Sequence, residues 1–408
     1  MKEGDRLVIP KKRLVAGVVL LLFFLSSGVL PCFGACPIPQ YIFDSSSDLQ
    51  SQQTCTDTRE YNDYARFIAG LKSNQGPLVA KEANPAWINF ARVMDQSWRR
   101  FKQRQLEVMQ AWASQELSQA QYPTVFYPFS GPDFVNMFTL FPQAHTYLMV
   151  SLEPVGEIRD FSAPSDYNFF PGLQRTLYDL LQLSFFITPK LRASLGKHDI
   201  EGVLSVLLFF MAREGVRVED VQYWVMKPEG TIEETPATAA PIACSPGDIP
   251  GLKITFARPD SSETQTLYYL RFNLGNDSMQ HNQQFLSFLE KFGPLTTFSK
   301  AASYLMHRPY FSAIRQFILE KSAHVLQSDS AIPVSYFDPS AWNLQFYGRY
   351  NGPIELFYNR YQPELAEIYQ TSQDIRPLPF GICYHHRPRS SNLMFASKKA
   401  GLAHNEAE

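Results

Sequence analysis

Residues 124–156, TVFYPFSGPDFVNMFTLFPQAHTYLMVSLEPVG, decide the fold. Residues 124–129 are β-branched and aromatic, the composition of a strand. Ser130-Gly131-Pro132-Asp133 is a turn, with glycine and proline each supplying a backbone angle other residues resist. Residues 134–141 suit a short helix, which Pro142 ends. Residues 146–152 are apolar enough to be a buried strand, and Glu153-Pro154-Val155-Gly156 leaves it. Strand, turn, helix and strand in this order make a βαβ unit, whose two strands are parallel.

Working outward, residues 84–119 predict a long amphipathic helix. Asn84 is an N-cap and Pro85 sits in the first turn. Trp87, Phe90, Met94, Trp98 and Phe101 then recur at spacings of three and four. Helices are expected at 173–187, 200–214, 285–292, 297–307, 311–327 and 363–369. Strands are expected at 221–226, 252–257, 266–274, 333–337 and 342–349. The fold class is α/β: a mixed, partly parallel sheet with a Rossmann-like βαβ unit and flanking helices.

The 408 residues are 45% hydrophobic, too apolar for a disordered chain, and five cysteines do not make a disulfide mini-protein. A formal net charge of -2 gives no basic field to gather nucleic acid, and no nucleic-acid partner is expected. At the amino terminus, Lys11, Lys12 and Arg13 precede the uncharged run 14–30, an export signal. Cleavage after Gly34 makes residues 1–34 a signal peptide. Phe33-Gly34-Ala35-Cys36 resembles the lipobox of bacterial lipoproteins, which implies a lipid anchor on Cys36. The run could also stay uncleaved as an anchor; membrane contact is expected only through these features. The expected place is periplasmic or extracellular, an oxidising compartment in which Cys36, Cys55, Cys244 and Cys383 are disulfide candidates. Residues 35–60 read as a polar linker and 61–386 as one globular body, with a subdivision possible in the Pro/Thr/Ala-rich 227–250. Residues 387–408 read as a disordered tail.

Three constellations bear on chemistry. Gly131 and Asp133 follow the first strand, and Glu153 ends the second. In nucleotide-cofactor folds an acid at that strand end takes ribose hydroxyls. The segment therefore resembles the first half of a Rossmann-like site, nearest to class I methyltransferases. That resemblance implies a transferase with a nucleotide-type cofactor held by Gly131, Asp133 and Glu153. The second constellation, His307, Arg315 and Asp329, invites an envelope hydrolase, although no Gly-x-Ser-x-Gly elbow accompanies it. The third is an aromatic excess over 336–369, able to stack on a cell-wall polymer or grip an envelope protein, or else to fill a core. No metal-ligand spacing occurs, His385-His386 being adjacent rather than one turn apart. With no catalytic spacing complete, the expected function is an exported cell-envelope protein that binds a ligand or partner. The cofactor-binding transferase and the hydrolase are the alternatives, and no cofactor is required by the first.

Overall fold

The computed structural model describes residues 58–118, 120–183, 200–259 and 261–399. The export signal, Cys36 and Cys55 lie outside them. Ten strands form one mixed sheet. They are β1 (Thr124–Pro128), β2 (Thr146–Ser151), β3 (Arg217–Met226), β4 (Ile232–Pro236), β5 (Ile249–Ala257), β6 (Thr264–Arg271), β7 (Leu295–Ser299), β8 (Ser322–Gln327), β9 (Trp342–Gly348) and β10 (Asn392–Lys398). Their order across the sheet is β4-β3-β5-β6-β2-β1-β7-β8-β10-β9.

The middle of the sheet is parallel. β1 pairs with β2 and β7, β2 with β6, and β7 with β8, all in the same direction. The chain steps from β1 to β2 on one side and returns later to β7 on the other. The flank of β1 is thus a topological switch point, where carboxyl ends of parallel strands open a crevice. Antiparallel wings extend both edges: β5, β3 and β4 beyond β6, and β10 and β9 beyond β8.

Neighbouring residues of the central strands feed different cores. Val125 and Tyr127 enter one cluster and Phe126 the other; Tyr147 and Met149 alternate in the same way with Leu148 and Val150. Both faces of the sheet are covered, as a parallel sheet requires. The first face is packed by α1 (Thr58–Ile68), α3 (Pro85–Phe101), α4 (Glu107–Glu116), α5 (Phe134–Leu140), α6 (Phe169–Leu183) and α7 (Leu204–Arg213); α2 (Leu78–Lys81) is a single turn before α3. The second face is packed by α8 (Asn276–His281), α9 (Gln283–Glu290), α10 (Ser312–Lys321) and α11 (Pro363–Thr371).

The α3 stripe is as expected: Asn84 caps Ala86 N–H, and Trp87, Phe90, Met94, Trp98 and Phe101 are all buried. A π-turn over Lys102–Leu106 inserts between α3 and α4. It shifts the buried positions by one residue, so that Gln105, Leu106, Met109 and Trp112 continue the inner face.

Several expectations are corrected. Residues 295–299 form β7, not the start of a helix over 297–307, because a five-residue strand buried on both faces carries no alternation. Residues 333–337 hold a 3-10 turn, Val334–Tyr336, rather than a strand. The expected tail beyond 387 is instead β10, inserted antiparallel between β8 and β9 with Leu393 and Met394 buried. Residues 227–250 do not divide the body, since β4 within them pairs with β3. Cys244 and Cys383 form no disulfide with each other. Cys383 is buried, its Sγ accepting from Ala301 N–H at 3.3 Å and from Ser328 Oγ at 3.1 Å.

Candidate ligand site at the carboxyl ends of the parallel strands

β1 ends at Pro128, and Phe129 follows with φ 58, a left-handed conformation that costs a non-glycine residue about 1–2 kcal/mol. Ser130 then turns back, its N–H and hydroxyl both donating to Val150 O. Gly131 takes φ 55, the backbone freedom the turn requires. Asp133 starts α5 and accepts from Asn136 N–H at 3.4 Å and from Asn136 Nδ2 at 2.8 Å. Its other oxygen accepts from Tyr127 OH at 3.0 Å and lies 2.7 Å from Lys300 Nζ. Burial, reinforced by Asp133, holds the Tyr127 phenol well above its ordinary range, so it remains a donor.

Lys300 is the first residue after β7. Its side chain and that of Asp133 are 1% and 2% exposed, so the ion pair bridges the switch point inside the protein. Sequence reasoning missed Lys300 because its partner lies 167 positions away and no motif joins them. The one available signal was its place directly behind a strand-like Thr-Thr-Phe-Ser.

The end of β2 is built differently. Tyr269 OH, on neighbouring β6, donates to Glu153 O at 2.8 Å and lies 2.6 Å from Ser151 Oγ. Pro154 and Val155 carbonyls accept from Val203 and Leu204 N–H at the start of α7. Gly156 and Gly202 let these segments touch: a Cβ on Gly202 would sit 2.2 Å from Gly156 N. The Glu153 loop is thus fastened on both sides. Glu153 itself is 3% exposed, yet among the described residues none donates a hydrogen bond or forms an ion pair with its carboxylate. Ser299 Oγ, at the end of β7, is buried without a partner.

The turn after β7 is strained and strapped. Ala301, Ser303 and Tyr304 all take φ between 50 and 54. Such clusters persist only where their surroundings over-determine them, and they concentrate at functional sites. Here the strap is Cys383-Tyr384, with Cys383 itself at φ 64. Tyr384 OH accepts from Ser303 N–H at 3.1 Å and donates to Ala301 O at 2.9 Å. Burial, with Asp329 adding to it, pushes the Cys383 thiol up, so it is no activated nucleophile.

The residues of the hydrolase expectation do not assemble. Asp329 gives its carboxylate to Tyr304 OH at 2.5 Å and Asn392 Nδ2 at 3.0 Å. His307 Nε2 is buried without a partner, and burial pushes this imidazole down to about 4. A histidine touching neither carboxylate nor serine cannot serve as the general base of a triad. Arg315 donates instead to Met306 O and lies over the Tyr336 ring, 4.0 Å from its centroid. The aromatic expectation divides: Trp342, Phe346 and Tyr347 fill the core, while Tyr336, Tyr358 and Tyr361 are exposed.

The donor set also defines which cofactor would fit. Asp133 caps α5, Pro132 lacks an N–H, and the helix has seven residues. A phosphate placed there would face a carboxylate, so a dinucleotide pyrophosphate is disfavoured. No group of three His, Cys, Asp or Glu side chains able to hold a metal occurs among the described residues. No protein-family model, curated protein or solved structure matches the chain.

Proposed function

We propose that the chain is an exported ligand-binding protein that holds a hydroxyl-bearing, nucleoside-type ligand at the carboxyl ends of β1, β2 and β7. The observation that carries this reading is Glu153, an acid at the end of the second parallel strand whose carboxylate makes no hydrogen bond or ion pair with any described residue. Two ligand hydroxyls could donate to this carboxylate in charge-assisted hydrogen bonds. Ser299 Oγ, also unpartnered, stands at the end of β7 on the far side of β1. Export is supported by the basic start and uncharged run of residues 11–30.

A second reading, a transferase of the methyltransferase type, is favoured by the strand order. From β6 to β9 the sheet runs as in the class I methyltransferases, with the last strand, β10, inserted antiparallel beside the fifth. This is a fold-level analogy, and folds host many functions.

Calorimetric titration with S-adenosylmethionine, S-adenosylhomocysteine, adenosine, NAD and neutral sugars tests the proposal. A nucleoside should bind to the wild type and bind at least tenfold more weakly to Glu153→Gln, since a charge-assisted hydrogen bond is worth about 1.5–3 kcal/mol. Equal binding to both proteins, or none of any ligand, would overturn it.

A further inference from the structure

A groove of about 510 Å³ runs between α4 and residues 377–380, and Glu153 does not line it. Its volume falls in the range of ligand pockets. The deepest lining residues are Trp112, which is buried, and Val108, which is half-buried. One wall is Pro377 and Pro379, which alternate with the buried Leu378 and Phe380. Phe380 meets Trp112 edge to face, with ring centroids 5.4 Å apart. Neither proline has an N–H, so this wall offers ring faces and carbonyls. The other wall is a row at intervals of four along the π-turn and α4: Gln103, Glu107, Ala111 and Gln115.

The polar groups of the groove are uncommitted in a particular way. The side chains of Gln103, Glu107 and Gln115 make no hydrogen bond or ion pair with any described residue. Trp112 is 4% exposed, and its Nε1–H has no acceptor among the described residues. A buried indole N–H ordinarily finds one. Glu116, which also lines the groove, accepts from Tyr347 OH at 3.0 Å and from Arg376 Nη1 at 2.6 Å, so its charge is offset. No lysine, arginine or histidine stands among the lining residues. Arg104, beside Gln103, is turned to the end of α6, donating to the Leu181 and Gln182 carbonyls. Glu107 is therefore the charge of the lining that no described cation pairs.

We infer that this groove binds an extended peptide segment of a partner protein that carries a lysine or arginine. A peptide backbone brings carbonyl acceptors for the indole N–H, and both donors and acceptors for the two glutamine amides. A basic side chain on that peptide pairs with Glu107. A polyamine would meet Glu107 and leave the indole N–H without an acceptor. An acidic peptide would supply the acceptor and set its charge against Glu107. The groove and the Glu153 site share no residue, so peptide binding does not depend on a nucleoside ligand.

The test retains pools of capped pentapeptides on the immobilised full-length protein. In each pool the central residue is fixed as one of the twenty amino acids and the other four are randomised. Pools fixed as lysine or arginine should be retained most, and pools fixed as aspartate or glutamate least. Glu107→Gln, at an exposed position, should lower retention of the basic pools about fivefold, the size of a partly exposed ion pair. Trp112→Phe keeps an aromatic ring without the N–H and should lower all pools alike, leaving the preference for basic residues intact. Glu263→Gln, an exposed acid outside the groove, should change nothing. Spermidine should fail to displace the basic pools. Absence of a basic preference, equal retention by Glu107→Gln and wild type, or displacement by spermidine overturns the inference.

Discussion

Lys300 Nζ stands 2.7 Å from Asp133 Oδ2, joining the end of β7 to the start of the helix that follows β1. The two strands are hydrogen-bonded neighbours through only a short ladder, Val125 with Thr296 and Phe126 with Thr297. The ion pair extends that contact past the strand ends. Removing one partner leaves the other buried without this counter-charge, which costs up to about 3–5 kcal/mol. Lys300→Met and Asp133→Asn should each lower urea-unfolding stability by that order. Lys300→Met combined with Asp133→Asn should lose less than the two single losses added together. Strictly additive losses would show that the pair is not coupled.

The junction of Gly156 and Gly202 gives a steric prediction. A Cβ on Gly202 would meet Gly156 N at 2.2 Å and Pro154 O at 2.5 Å, both backbone atoms that cannot swing aside. Gly202→Ala should therefore destabilise by about 1–3 kcal/mol, the usual cost of forced overpacking. It should also weaken any ligand held by Glu153, because the same contact fixes that loop. A melting temperature equal to wild type would contradict this packing.

Glu214 predicts a pH dependence. Burial is the main cause that raises its carboxyl to about 7, with Lys102 opposing, and Oε1 has no partner. A raised carboxyl favours the protonated form in the folded state. Its stabilising contribution is complete below the ordinary carboxylate range near 4.5 and is lost as pH rises through about 7. Against wild type, Glu214→Gln should flatten the fall in stability between pH 5 and pH 8, to about the extent this one group contributes. A parallel pair of stability curves would exclude Glu214 as the source.

The expected fold was legible where local and tertiary signals agreed. The α3 stripe from Trp87 to Phe101 and the unit from Thr124 to Ser151 each carry their own period and turn chemistry. β7, β8 and β10 were misread; β8, Ser322–Gln327, falls where the helix expected over 311–327 was to continue. β7 is five residues buried on both faces, so it lacks alternation. β10 ends in charge and is stable only because β8 and β9 receive it. Glu153 was legible as a strand-end acid. Lys300 was not, because its pairing with Asp133 exists only after the chain has folded.

Cysteine chemistry separates the described body from the amino-terminal segment. Cys383 is buried under hydrogen bonds from Ala301 and Ser328. It should react slowly with a thiol reagent in the native protein and promptly once unfolded without reductant. Prompt labelling of Cys383 in the native state would contradict its burial.

Export is tested by mass spectrometry of protein made in a bacterial host and recovered from its envelope. Under the proposal the amino terminus is Ala35 after cleavage, or an acylated Cys36. Intact Met1 on soluble protein inside the cell would reject both.

The alternation of Val125, Phe126 and Tyr127 between two cores has a consequence for motion. A strand whose adjacent side chains are gripped from opposite faces cannot slide by one residue without moving an entire row of side chains to the wrong face. The strands beneath the site therefore cannot change register short of unfolding. Any opening that admits a ligand has to be carried by the chain above it: the Cys383-Tyr384 strap, which holds the 301–304 turn through hydrogen bonds and the stacked rings of Tyr304 and Tyr384.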